Sequence, residues 1–189
     1  MQGKLILIYG PSGSGKGELI AHIRATFPEL VFPVSCTTRA IRPGEQDGLV
    51  YHFISNEVFD SRVSAGEFLE WAEFGGNRYG TLKEEILPAL ERGKSVLREV
   101  DVQGVRAIRA MLPGEQVAVI FIHAGSWEAL ERRVRARAPI TEEELAKRRK
   151  RYEDELSYRS EATYEIENKE GALDAAKKEI ETLVRSLIS

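Results

Sequence analysis

Leu5-Ile6-Leu7-Ile8-Tyr9-Gly10-Pro11-Ser12-Gly13-Ser14-Gly15-Lys16 decides how this chain is read: an apolar run turns through three glycines and ends on a lysine. The run predicts a buried strand, and the segment that follows, Glu18 to Thr26, predicts a helix. Glycines spaced this way between a strand and a helix form a phosphate-gripping loop. Gly10, Gly13 and Gly15 can take backbone angles that other residues resist, so successive N–H groups curl around an anion. Lys16 adds a point charge for terminal phosphates. The candidate contacts are Gly10, Pro11, Ser12, Gly13, Ser14, Gly15, Lys16 and Gly17, and the expected ligand is a polyphosphate. One position is irregular: where the pattern asks for Ser or Thr after the lysine, Gly17 and then Glu18 stand.

Two further apolar runs predict strands, Val96 to Val100, interrupted by Arg98 and Glu99, and Val117 to Ile122. Helical segments follow them, Val102 to Met111 and Ser126 to Arg137. This alternation predicts an α/β fold with a doubly wound parallel sheet. In the last of these helices Trp127, Leu130 and Val134 share one face, while Arg132, Arg133, Arg135 and Arg137 share the other. Pro139 ends it. Thr141 with Glu144 three residues later is a capping-box pattern that predicts a new helix to about Ser157. A final helix, Leu173 to Leu187, is expected to dock as a C-terminal cover. Residues 35 to about 90 break the alternation, with β-like pieces at Val50 to Ile54 and Phe68 to Phe74 among polar turns, and read as an insertion.

The 189 residues suffice for one sizeable core with a small insertion, and 42% hydrophobic content suits a folded globular chain. A net charge of −3 argues against a dedicated nucleic-acid or membrane binder. Cys36 is the only cysteine, which excludes an intrachain disulfide and a cysteine-based metal site and fits a reducing cytoplasm. The apolar runs are too short to span a bilayer, and no signal-peptide pattern is present. His22, His52 and His123 lack metal-ligand spacing, so no protein metal site is expected.

A second anion site is legible in the insertion. Arg39 and Arg42 are three residues apart and Tyr51 follows; guanidinium forks match phosphate oxygens and a phenol adds a donor. Two phosphate sites in one small protein suggest phosphoryl transfer. Nine of the 27 basic residues lie between Arg132 and Arg151, more than a net-acidic protein needs for solubility. Lys147, Arg149, Lys150 and Arg151 read as a solvated helix face.

Gly10 to Lys16, Ser35 to Arg39 with Arg42 through Tyr51, Phe68-Leu69-Glu70-Trp71-Ala72, Gly76-Asn77 with Tyr79-Gly80, and Glu99 to Gly104 together resemble the guanylate kinase family, over most of the chain. The resemblance implies a P-loop core (1–34, 90–125 and 158–189), a GMP-binding insertion of mixed α/β character (35–89) and a helical, arginine-bearing lid (126–157). It implies reversible transfer of a phosphoryl group from ATP to GMP, giving ADP and GDP, with Mg²⁺ carried mainly by ATP phosphates and waters. Arg39, Arg42, Tyr51 and Tyr79 would grip the GMP phosphate, and Ser35, Glu70, Thr81 and Asp101 would read guanine. Glu45 and Glu99 belong to the same substrate-binding set. Guanine offers N1–H and an exocyclic amine on one edge, which a carboxylate such as Glu70 accepts and adenine cannot match. Lys16, Arg137 and Arg148 would be catalytic, with Arg135 as a third lid arginine, and Asn168 would lie near adenine. Around Asn168 the residues are more charged than an apolar strand, which leaves a surface-loop asparagine as the alternative. The expected partners are ATP and GMP, without nucleic acid or membrane, and a homo-oligomer is compatible.

Three positions depart from the family pattern. Glu18 replaces a Ser or Thr that helps hold ATP phosphate, and a carboxylate there repels an anion at the same helix N-terminus. Ala138-Pro139-Ile140-Thr141 replaces a Gly-Thr-Asp-Ser-like turn, and Gly75 replaces a bulkier polar residue. Glu18 and the altered turn motivate an alternative, a catalytically weak guanylate-kinase-like module that binds a phosphorylated partner. A kinase of another phosphorylated acceptor is the third reading.

Overall fold

Five consecutive apolar residues can be buried together only where both faces of a strand are covered, and β1 (Leu5–Tyr9) is buried throughout. The computed structural model describes residues 3–189, apart from the side chains of Phe74 and Arg137. β1 lies between β6 (Val96–Glu99) and β7 (Val117–His123), and β8 (Tyr164–Glu167) closes a four-stranded parallel sheet of order β6-β1-β7-β8. Alternate β1 residues point to opposite faces. Leu5, Leu7 and Tyr9 pack with Ile86 and Leu90 of α3 (Lys83–Glu91) and with Val105 and Ile108 of α4 (Val102–Met111). Ile6 and Ile8 pack with Leu19 and Ile23 of α1 (Lys16–Thr26) and with Ile180 and Val184 of α7 (Leu173–Ile188). Helices therefore cover both faces, which is the doubly wound arrangement.

α1 begins at Lys16, two residues before the expected Glu18, because Gly15 takes a left-handed conformation at φ 90° and serves as the N-cap. β8 leaves Tyr164, Glu165 and Glu167 exposed and buries only Ile166. It is an edge strand of the sheet, and an edge tolerates charge that an inner strand would not.

The insertion forms a second, mixed sheet from β2 (Ser35–Thr37), β3 (Tyr51–Phe53), β4 (Phe68–Phe74) and β5 (Asn77–Leu82), in the order β3-β2-β5-β4. β2 and β3 are parallel; β5 runs antiparallel to β2 and β4. The mixed α/β character expected of this segment is met by two helices whose positions the sequence pattern did not mark. α2 (Asn56–Ser64) is capped by Ser55 and buries only Phe59, which stacks on Phe68 at 4.5 Å between ring centroids. α3 contains Pro88, a residue that ordinarily argues against a helix interior. Both are nine residues long, too short for a clear periodic pattern.

α5 (Trp127–Arg137) and α6 (Glu142–Ser157) start as expected, with the hydroxyls of Ser126 and Thr141 accepting from the N–H groups of Ala129 and Glu144. Trp127, Leu130, Leu145 and Tyr152 pack between them as a separate small core.

Tyr9 ties the inner strand to the segment after α6: its hydroxyl donates to the Tyr158 carbonyl at 2.6 Å. Burial raises the Tyr9 pKa from 10.0 to about 12. The unfolded chain then loses this proton before the folded one does, so the contribution is intact below pH 10.0 and is lost as pH rises towards about 12. Chemical denaturation across this range is expected to show a steeper alkaline loss of stability in the wild type than in Tyr9→Phe; parallel losses would count against the link.

Candidate active site

The phosphate loop leaves β1 at Gly10, where φ is 139° and a Cβ would overlap the Ile122 carbonyl oxygen of β7. Gly13 and Gly15 also have positive φ, 93° and 90°. Asn168, just after β8, closes the loop from the far side: it is 2% exposed and its Nδ2 donates to the Ser14 carbonyl at 2.9 Å. The surface-loop alternative for Asn168 is thereby corrected. The charge around it belongs to the edge strand, while Asn168 itself turns inward. Ser14 Oγ and Asn168 Oδ1 are buried at the loop and make no hydrogen bond to another described residue. Lys16 Nζ donates to the carbonyls of Gly10 (2.6 Å) and Pro11 (3.1 Å) and lies 3.6 Å from a Glu99 carboxylate oxygen. Gly17 and Glu18 are exposed, and Glu18 borders the cleft in front of the loop.

This cleft, about 1860 Å³, is walled by Gly10, Lys16, Tyr51, Glu70, Tyr79, Glu99, Asp101, Arg148 and Asn168 among others. The loop and residues of the insertion thus face one space. Next to Tyr51 and outside the wall, Arg39 donates to both oxygens of Glu45 at 2.9 and 3.0 Å, and the Arg42 backbone N–H donates to Glu45 at 2.9 Å. Arg39 holds the Glu45 carboxyl below the usual range. The Arg39 guanidinium also lies 5.6 Å from the Tyr51 ring, and the Tyr51 and Tyr79 rings are 5.7 Å apart. Glu45 therefore orients the arginine fork through two-point hydrogen bonding.

Deeper in the cleft, a shift in strand register between Phe68 and Glu70 sets Glu70 opposite Thr81. Thr81 Oγ1 donates to Glu70 at 2.5 Å. Ser35 and Thr81 are fully buried, with their hydroxyl oxygens 3.3 Å apart. Desolvation raises the Glu70 pKa; the Thr81 hydrogen bond and Arg98 oppose this, while Asp101 adds to it. Gly104 packs closely on Val100, where a Cβ would stand 3.1 Å from the Val100 Cβ, and lies beside the Glu70 carboxylate. Asp101 caps α4 by accepting from the Gly104 N–H at 2.8 Å.

On the opposite side, Arg148 borders the cleft; its Nε lies 3.3 Å from Glu144 without a hydrogen bond. Arg135 is bound to Glu131 and Glu142 instead. Arg137 ends α5, and its side chain lies outside the described residues. Lys147 and Arg149 pair with Glu143 and Glu153 on the outer face of α6.

Two cleft residues escaped the sequence reading. Arg98 was visible only as an interruption of an apolar run; it donates from Nε to Thr81 Oγ1 at 3.1 Å and from Nη2 to Ser35 Oγ. Glu155 stands in the middle of a charged helix with no local signal, yet it is desolvated beside the loop, where burial raises its pKa and Lys16 and the Ser12 N–H oppose the rise. Among the described residues, no group of three or more His, Cys, Asp or Glu side chains could hold a metal ion. His22 and His52 face Glu181 and Glu85, and His123 is buried against the Gly125 N–H.

A glycine loop that turns out of an inner parallel strand onto a helix and ends on a lysine defines a P-loop protein. Guanylate kinase is the family whose pattern matches residues 2–187. A guanylate kinase of Trichormus variabilis is 45% identical over 175 residues, spanning 92% of this chain and 87% of that protein. One from Nostoc sp. is 43% identical over 177 residues, spanning 93% and 88%. The crystal structure of guanylate kinase from Anaplasma phagocytophilum superposes with a TM-score of 0.75 at 30% identity, covering 98% of this chain and 86% of that one. The chain belongs to the guanylate kinase family.

Asn168→Ala removes the buried donor to Ser14. It is expected to cost about 1–3 kcal/mol in denaturant unfolding and to raise the ATP KM. Unchanged stability together with an unchanged ATP KM would show that Asn168 does not brace the loop.

Proposed function

We infer that the protein catalyses reversible phosphoryl transfer from ATP to GMP, giving ADP and GDP in purine nucleotide metabolism. The observation that carries this reading is one cleft with a phosphate loop and Lys16 at one end and Glu70, Asp101, Tyr51 and Tyr79 at the other. In this reading Gly10 to Gly17 cradle the ATP phosphates, and Asn168 adjoins adenine while bracing the loop. Arg39, Arg42, Tyr51 and Tyr79 grip the GMP phosphate, with Glu45 orienting Arg39. Ser35, Glu70, Thr81 and Asp101 read guanine. Lys16, Arg137 and Arg148 supply positive charge to the transferring group, whose transition state spreads charge over the phosphoryl oxygens. Closure of the helices around Ala138 to Ile140 would exclude water from the cleft.

The family implies ATP as a substrate and Mg²⁺ with it. The residues fit a magnesium ion held by phosphate oxygens and waters, with Glu99 beside Lys16 as the carboxylate placed to accept hydrogen bonds from those waters. The ion would supply neutralising charge at the phosphates. We propose ATP and GMP as the partners, without nucleic acid or membrane; no helix among the described residues is long and apolar enough to cross a membrane. A cytoplasmic setting is proposed on the single, buried Cys36 thiol.

A catalytically weak module that binds a phosphorylated partner is the second reading. Glu18 favours it, because a carboxylate sits beside the loop that must receive an anion.

A coupled assay with Mg²⁺, ATP and GMP is expected to give GDP, and Lys16→Ala to lower kcat at least about 100-fold. GDP formation no faster than in Lys16→Ala would favour the second reading. Glu18→Thr is expected to lower the ATP KM by removing repulsion at the helix N-terminus. An ATP KM equal to wild type would mean that Glu18 points away from the bound phosphates.

A further inference from the structure

Arg98 interrupts the apolar run of β6 and puts a cation inside the cleft, next to the residues assigned to guanine. An apolar residue at this place would extend Val96 and Leu97 without any cost of desolvating a charge, so stability alone gives no reason for an arginine. Its contacts give one. Arg98 Nε donates to Thr81 Oγ1, and Nη2 donates to Ser35 Oγ. Thr81 Oγ1 in turn donates a hydrogen bond to Glu70. One guanidinium thus sets the direction of two buried hydroxyls and provides the countercharge to the carboxylate.

We propose that Arg98 is a specificity-determining positioning residue, which makes the pocket accept 6-oxo purines and reject 6-amino purines through the orientation it imposes on Ser35, Thr81 and Glu70. The proposal rests on the base-pocket reading above. Because Ser35 Oγ accepts from Arg98 and the Thr81 proton is directed at Glu70, Ser35 is the donor in its 3.3 Å contact with Thr81 Oγ1; a carbonyl oxygen would draw that proton away from Thr81, and the adjacent cation strengthens the donor. A 6-amino group would bring its own donor towards the same hydroxyl and cation, leaving a polar pair unmatched. Glu70, held as an acceptor, suits a purine N1–H and 2-amino group; an unprotonated N1 would face it lone pair to lone pair.

The countercharge has a consequence for pH. Glu70 is faced by Thr81 from β5, by Arg98 from β6 and by Asp101 from the start of α4; Glu99 and Tyr51 act on Arg98 in turn. Burial and Asp101 favour the protonated carboxyl, and Arg98 opposes them. Without Arg98 the carboxyl takes up its proton at higher pH, turns from acceptor to donor, and loses guanine as pH falls.

Steady-state kinetics with GMP and AMP between about pH 6 and 8.5 would test this on wild type, Arg98→Met, Arg98→Lys and Glu70→Gln. Arg98→Met is expected to raise the GMP KM about tenfold or more, with kcat and the ATP KM within about twofold of wild type. The rise should grow towards low pH, and the preference for GMP over AMP should narrow. Arg98→Lys keeps the charge but not the two-point hold, so its GMP KM should be raised without the added pH dependence. Comparable changes in kcat and the ATP KM would mark a general structural defect and overturn the positioning role. A GMP KM unchanged at every pH in Arg98→Met, while Glu70→Gln raises it, would overturn the role of Arg98 alone. If Glu70→Gln also leaves the GMP KM unchanged, the base-pocket reading fails and the proposal with it. Should Arg98→Met not fold, Arg98→Lys decides: a raised GMP KM at constant kcat supports the proposal, and an unchanged one overturns it.

Discussion

The close approach of backbone to backbone at Gly10 is the constraint on which the site depends. Gly10 lies against the Ile122 carbonyl with no space for a side chain, so the chain leaving β1 must turn at that point. The left-handed Gly15 then starts α1 directly at Lys16, which places the lysine within reach of the loop carbonyls. Asn168 holds the other side of the loop from the end of β8. Because β1 is buried from both faces, the loop is carried by a fully packed inner strand. A phosphate cradle built on such a support needs little reorganisation when an anion arrives.

The same arrangement recurs around the cleft. Lys16 rests on Glu99 and two carbonyls, Arg39 on Glu45, and Arg98 on Ser35 and Thr81 beside Glu70. Each cation is oriented by partners within the chain. Arg148 differs, since its Nε meets Glu144 at 3.3 Å as an ion pair without a hydrogen bond. These pairs act through orientation. The pairs on the outer face of α6, such as Lys147 with Glu143, are exposed and contribute little to stability.

Much of this was legible in the sequence, for reasons that differ between elements. β1, the loop and α1 were readable because an apolar run, positive-φ glycines and a lysine each have few alternative uses. The capped starts of α5 and α6 were readable because Ser126 and Thr141 act within one turn of their own position. α2 and α3 were not: one buries a single aromatic side chain, and the other carries a proline, so tertiary packing outweighs local preference. The inward turn of Asn168 was hidden by the charge of its edge strand. Arg98 could not be read at all from local pattern, because its partners lie in β2, β4 and β5 and meet it only in the folded chain.

The phosphate loop and the pocket around Glu70 border one cleft, which we propose holds ATP and GMP side by side. Calorimetry with adenosine and guanosine joined by a pentaphosphate tests it most directly, since linking two ligands of adjoining sites makes the second binding event intramolecular. The account predicts one molecule bound per chain, far more tightly than ATP or GMP alone and displaced by either. Binding no tighter than ATP alone, or binding that GMP does not compete with, would contradict it.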